Sequence, residues 1–214
     1  AGPFVSSTAL VDIFPTSFGR PLEGIKVSIS VDGELLVRSP SAMSGYWNDP
    51  TLTSKAQDAE GWIHTGDLAK IEDCRLFITG RLTEILVLSN GKKANASLIE
   101  AELARDELFD QVLVVGEGKP FLVAICALNR ENWQAYAGQH GLDPDTPNTS
   151  GAVRKMLARI SDRLEAFPRH ARIRAVHLVQ SPWTIPSGLL TPTLKVKRKK
   201  IEQVFDHEIS TLYR

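Results

Sequence analysis

The chain has 214 residues, of which 43% are hydrophobic and 23% charged, and its formal net charge is zero. That length can bury a sizeable core in one or two domains, and the composition is that of a globular protein rather than a disordered one. Zero net charge excludes a global field recruiting nucleic acid or an anionic membrane, and no apolar run nears the roughly 20 residues of a bilayer span.

The amino terminus, Ala1-Gly2-Pro3-Phe4, has neither an initiator Met nor a basic region followed by an apolar stretch. It argues against a signal peptide and for a chain cut from a longer one. Short strands separated by Gly, Pro, Asn and Asp follow. Val27, Ile29 and Val31 alternate on one face of residues 26–31, Asp32-Gly33 supplies a turn, and residues 35–38 return as the second strand of a hairpin. The β pattern continues at 62–65, 68–71, 76–79 and 85–88, with only a short helical turn near 51–56.

The character then changes. Ser97 is a good N-cap, and Leu98, Ile99, Leu103 and Leu108 make a helical apolar stripe to about residue 107. Strands at 111–115 and 121–128 flank the turn Gly116-Glu117-Gly118-Lys119. Helices are predicted at 130–139 and 151–167 around a polar loop, then a strand at 175–180 and an amphipathic terminal helix at 198–212. The fold class is α+β: a β-rich section, then a small α+β domain, with the boundary near Gly80-Arg81. Cys74 and Cys126 lie in apolar, strand-like runs without metal-ligand spacing, so both read as buried free thiols of a reducing compartment.

Three segments place polar residues where a bare fold does not require them. In His64-Thr65-Gly66-Asp67, between two predicted strands, an Asp after a Gly is ordinary turn chemistry. The sharper reading is a carboxylate that accepts from two vicinal hydroxyls at once. Gly80-Arg81 leads through a strand into the tight Ser89-Asn90-Gly91-Lys92-Lys93, and Arg81 taken alone reads as a solvated charge. The basic run from Leu190 to Lys200 reads as a solvated face or a nucleic-acid patch. Its alternation also suits a short strand that hides Leu194 and Val196 and aims Lys195 and Lys197 the other way. A lysine on such a strand is a point charge available to developing negative charge.

Taken in order, these blocks resemble the adenylate-forming superfamily of acyl-CoA synthetases, luciferases and peptide-synthetase adenylation domains. The likeness runs through Phe18-Gly19-Arg20-Pro21-Leu22-Glu23-Gly24, Met43-Ser44-Gly45-Tyr46-Trp47 and Gly61-Trp62-Ile63-His64-Thr65-Gly66-Asp67. It continues through Gly80-Arg81, Ser89-Asn90-Gly91-Lys92-Lys93 and Ile99-Glu100. Phe167-Pro168-Arg169-His170-Ala171-Arg172-Ile173, followed by Leu190-Thr191-Pro192-Thr193-Leu194-Lys195, is similar to the long-chain fatty acid-CoA ligases.

The resemblance implies that residues 1–79 are the end of a large N-terminal adenylation domain, a β-rich, distorted barrel-like remnant. Residues 80–214 would be a mobile C-terminal lid with its hinge near 81–83. It implies a two-step reaction: a fatty acid attacks ATP to form acyl-AMP, and CoA then displaces AMP. By the same resemblance Asp67 and Arg81 hold the ribose hydroxyls of ATP, Lys195 is the catalytic lysine, and Gly91 and Lys92 line the CoA and thioester-forming face. Thr83 occupies the hinge position. Lys195 is preferred to Lys197 by its spacing to Arg198.

The resemblance implies ATP, CoA and Mg2+ as cofactors of the complete enzyme; none is expected to bind this fragment tightly, and no metal ligand is expected in it. Substrates would be reached through the missing N-terminal section. No nucleic acid and no transmembrane segment are expected, and the implied location is cytoplasmic, with room for peripheral membrane association. A carrier protein is an alternative acyl acceptor, and a non-catalytic binding module is the other reading.

The sequence departs from the family pattern at Thr83, where Asp or Lys is usual. It departs also at Ala94 and Ala96 and at Cys74-Arg75, which replaces an Asp-Gly turn. Neither Gly116-Glu117-Gly118-Lys119 nor Gly91-Lys92-Lys93 has the spacing of a phosphate-binding loop, and the Tyr-Gly-x-Thr-Glu element is absent. The fragment alone is therefore expected to be inactive.

Overall fold

A computed structural model of the chain describes residues 5–7 and 17–214. The reading of the amino terminus lies outside them. The fold is mixed α+β and divides into two compact units, Ala1–Glu84 and Ile85–Arg214.

In the first unit, β1 (Ser6–Ser7) pairs with β2 (Arg20–Pro21). A four-stranded antiparallel sheet follows, in the order β3 (Lys26–Ile29), β4 (Glu34–Arg38), β5 (Ile63–Glu72), β6 (Arg75–Arg81). The predicted hairpin is present, with Lys26 opposite Arg38 and Ile29 opposite Leu35. Its turn closes where Ser30 donates to Glu34 O and Gly33 donates back to Ser30 O. Val31 is a correction: it sits in that turn, fully exposed, because the strand face ends at Ile29. Leu35, Val37, Ala69 and Leu76 form the core of this unit.

The short helix α1 (Pro50–Ala56) is capped by Asp49, whose carboxylate accepts from Leu52 N at 2.8 Å. The two strands predicted around His64-Thr65-Gly66-Asp67 are one strand, β5. The β5–β6 turn places Asp73 at φ 50° and Cys74 at φ 60°, so Cys74 is exposed rather than buried.

The second unit begins with a small hairpin, β7 (Ile85–Val87) and β8 (Lys93–Asn95), and leads into α2 (Ala96–Leu103). Asn95, not Ser97, caps α2: its side chain accepts from Leu98 N at 3.2 Å. Starting the helix earlier turns Leu98 outward and buries Ala96, Ile99 and Leu103. A three-stranded sheet is built from β9 (Phe109–Val115), β10 (Leu122–Leu128) and, after α3 (Arg130–His140) and α4 (Ser150–Arg163), β11 (Ile173–Val179). β10 is central, antiparallel to β9 and parallel to β11.

Every residue of β10 is buried, as expected for a strand covered on both faces. Ala124, Cys126 and Leu128 join Ile99, Trp133, Met156 and Ile160 in one core. Ile125 and Ala127 face Trp183, Leu190, Ile201 and Ile209 in another. Burial pushes the Cys126 thiol well up and leaves it unionised. The predicted terminal helix is two, α5 (Arg198–Val204) and α6 (Asp206–Leu212), with the break at Phe205.

Candidate functional site

The site residues of the first unit cluster at a bulge. His64 lies opposite Leu36 and Leu68 opposite Glu34, so β5 carries extra residues over this interval. A bulge re-aims the side chains it carries. Gly66 takes φ 73°, the left-handed backbone the bulge needs. Glu34, only 7% exposed, holds the bulge: one carboxylate oxygen accepts from Gly66 N at 2.8 Å and the other lies 2.9 Å from His64 Nδ1. Thr65 Oγ1 donates to Leu35 O at 2.7 Å and accepts from Asp67 N at 3.1 Å.

Asp67 thereby comes directly opposite Arg81 on β6, with Arg81 Nε 3.1 Å from Asp67 Oδ1. A cavity of about 510 Å³ opens beside them, with His64, Thr65 and Asp67 on its polar side and Leu35, Tyr46 and Ile78 on its apolar side. Asp67 and Arg81 are thus brought together although far apart in sequence. Thr83 follows in a single 3-10 turn, Leu82–Glu84. Glu34 was missed by the sequence reading; the available signal was an acidic residue opening a strand directly after the Asp32-Gly33 turn.

In the second unit, Gly91 closes the β7–β8 turn at φ 77°, donating to Leu88 O at 2.8 Å, while Lys92 N donates to Asn90 Oδ1 at 3.0 Å. A Cβ at Gly91 would meet nothing within 4 Å, so conformation, not crowding, selects glycine there. Beside this turn a cavity of about 210 Å³ is lined by Asn90, Lys92, Arg169, His170, Arg172 and Arg174.

Lys195 does not lie on a strand as expected. Leu194 turns the chain at φ 60°, Thr191 N donates to Lys195 O at 2.8 Å, and Lys195 N donates to Thr191 Oγ1 at 3.0 Å. Only one bridge, Leu190 with Val196, remains of the strand pattern. Leu194 and Val196 are exposed, not hidden, because a tight turn leaves no face to pack. Lys195 and Lys197 are both exposed, and Lys197 N donates to Leu189 O at 2.9 Å. Arg198 is half-buried and paired with Glu100, a partnership the sequence reading did not anticipate.

Among the described residues no group of three or more His, Cys, Asp or Glu comes together that could hold a metal ion. Among the described residues no helix is long and apolar enough to cross a membrane.

Residues 83–214 match the family described as the AMP-binding enzyme C-terminal domain. The chain belongs to the AMP-binding, adenylate-forming enzymes. It carries their C-terminal portion.

Among curated adenylate-forming relatives, the chain is 33% identical over 207 residues to the long-chain-fatty-acid–CoA ligase FadD15 of Mycobacterium tuberculosis, covering 91% of this chain and 33% of that protein. It is 31% identical over 189 residues to human long-chain-fatty-acid–CoA ligase 6, covering 85% of this chain and 27% of the relative. The chain thus spans about a third or less of the length of these relatives. Among solved structures, the A domain of carboxylic acid reductase from Segniliparus rugosus, in complex with AMP and a co-purified carboxylic acid, superposes with a TM-score of 0.73. That match has 22% identity and covers 92% of this chain and 32% of the other.

Proposed function

We propose that this chain is the ribose-gripping and lid-bearing part of an ATP-dependent fatty acyl-CoA synthetase. One observation supports the nucleotide role best. The Asp67 carboxylate lines a cavity and the Arg81 guanidinium is held against it, so that the pair can accept from and donate to two ribose hydroxyls. The likeness to long-chain-fatty-acid–CoA ligases favours fatty acids as the carboxylate substrate and CoA as the acceptor.

In this reading a carboxylate oxygen of the fatty acid attacks the α-phosphorus of ATP. A new P–O bond forms, the bond to the β-phosphate oxygen breaks, and pyrophosphate leaves. The Lys195 ammonium, presented at the tip of the Thr191 turn, offsets the negative charge that builds on the phosphate and carboxylate oxygens. The CoA thiolate then attacks the acyl carbonyl and AMP departs. Gly91 lines that second face without a side chain to obstruct the thiol, and the lysine and arginines beside it suit the phosphates of CoA. The strand-rich unit is the end of the adenylation domain, and the backbone of residues 81–83 is the hinge on which the lid turns between the two steps. Among the described residues no group of carboxylates fits a magnesium site, so no step runs through the metal on these residues.

The deciding experiment is carboxylate-dependent exchange of pyrophosphate into ATP, measured for this chain and for the full-length protein, each beside its Lys195→Ala variant. Exchange confined to the full-length wild type supports the reading. Silence of the full-length protein across short and long fatty acids overturns it in favour of a binding module without chemistry.

A further inference from the structure

Arg198 closely follows Lys195 in sequence and opens α5. Glu100 lies in α2, the helix that continues directly from β8 and so from the Gly91 turn. The two side chains meet at β9, an outer strand of its sheet. Arg198 Nη2 donates to both oxygens of the Glu100 carboxylate, at 2.7 and 3.0 Å. Val114 N on β9 donates to the same carboxylate at 2.7 Å, and Arg198 Nη1 donates to Val114 O, also at 2.7 Å. The ion pair therefore occupies the donor and acceptor of one edge residue, as a neighbouring strand would.

The geometry is specific. A planar guanidinium fork is required to serve the carboxylate and the carbonyl together, and a lysine ammonium cannot reproduce it. The side chains are 26% and 19% exposed, so the pair is better sheltered than an ordinary surface bridge. Buried Leu190 and Ile201 flank the same segment, and the Thr191 bonds close the turn between them. The backbone at Lys195 is hydrogen-bonded through both its N–H and its carbonyl, and its side chain is exposed.

We infer that Glu100 and Arg198 are positioning residues: Glu100, fixed in α2, and Arg198 together fasten the Lys195 turn to one edge of the lid sheet. The Lys195 turn is thereby held at a fixed place on that sheet, while the Gly91 turn keeps its own backbone bonds, Gly91 N to Leu88 O and Leu88 N to Lys92 O. This rests on the proposed roles of Lys195 and Gly91. Arg198 itself touches no substrate in this scheme; it acts through the placement of Lys195.

The test is Arg198→Lys in the full-length protein, with both half-reactions measured separately. Positional looseness of an angstrom at a charged group can cost up to about a hundredfold in rate. The expected result is a loss of about tenfold or more in kcat for acyl-AMP formation, with KM for ATP little changed and thioester formation from supplied acyl-AMP within about twofold. If Arg198 acts through Lys195, Arg198→Lys adds no further loss in a Lys195→Ala background. Glu100→Gln, which keeps an acceptor for Val114 N, should reproduce the same selectivity at smaller size. Equal losses in both half-reactions, accompanied by a lowered Tm, would reduce the pair to a structural tie and overturn the inference. So would losses that multiply with Lys195→Ala. Adenylation that survives Lys195→Ala would instead overturn the lysine assignment, a separate and recognisable failure.

Discussion

Asp67 and Arg81 face each other across β5 and β6, with Arg81 Nε 3.1 Å from Asp67 Oδ1. Their side chains are 31% and 63% exposed, and an ion pair this open contributes little to stability. It does hold the Arg81 guanidinium against Asp67, the one of the two groups that lines the cavity. Asp67→Ala should therefore leave Tm nearly unchanged while raising KM for ATP in the full-length protein. Loss of a charge-assisted hydrogen bond is worth about 1.5–3 kcal/mol, which corresponds to roughly ten- to a hundredfold. An unchanged ATP requirement in pyrophosphate exchange would contradict the ribose role.

Glu34 is the support beneath that site. Removing it leaves Gly66 N without its acceptor and His64 without its partner. Glu34→Ala should cost about 1–3 kcal/mol in denaturant unfolding of the strand-rich unit. It should also raise KM for ATP, because the bulge that aims Asp67 relaxes. Glu34→Gln, which keeps one acceptor, should recover part of both. Full ATP affinity in the alanine variant would show that the bulge holds itself.

Asp106 is 1% exposed and lies in the second unit, where it pairs with Arg159 and Arg163. Burial works to raise its pKa, but the Arg159 hydrogen bonds at 2.6 and 2.9 Å, the Leu108 N–H and the charges of Arg159 and Arg163 outweigh it and hold the carboxyl below its ordinary range. A lowered folded pKa means a contribution fully present above the unfolded value of about 4 and lost as pH falls through the folded value. Asp106→Asn should destabilise by about 2–4 kcal/mol at pH 7, less than a fully buried pair because both arginines can turn to water. Thermal melts at pH 7 and pH 3 should show a smaller acid-induced drop in the variant than in the wild type. Equal drops would mean that other carboxylates carry the acid sensitivity.

Cys74 occupies the second position of a two-residue turn with φ above zero at both positions. Left-handed backbone costs a residue with a Cβ about 1–2 kcal/mol, of which glycine recovers part because its unfolded chain is freer. Cys74→Gly should raise the denaturation midpoint, by about 0.5–1 kcal/mol in stability. A lowered midpoint would mean that the exposed thiol makes a contact worth more than the strain.

Much of the architecture was legible from period and punctuation. The hairpin of β3 and β4, the apolar β10 and the helices α3 and α4 follow from alternation, continuous apolar runs and stripes that local sequence alone expresses. Errors fell where a single residue chose between neighbouring solutions. Asn95 and Ser97 are both good caps, and the burial of Ala96 decided for Asn95. Val31 continued an alternation that the turn had already ended, and Cys74 stood in an apolar run that the turn interrupts.

The sequence by itself determined the family, through ordered short motifs, and the identity of Asp67, Arg81, Gly91 and Lys195 as the residues to examine. Only the tertiary structure decided how some of them are held. Glu34 beneath the bulge, the Asp67–Arg81 register, and the Glu100–Arg198 clamp on Val114 join residues far apart along the chain. Such pairings depend on strand register and on which edge a sheet leaves unpaired, and neither is encoded in any local window of residues.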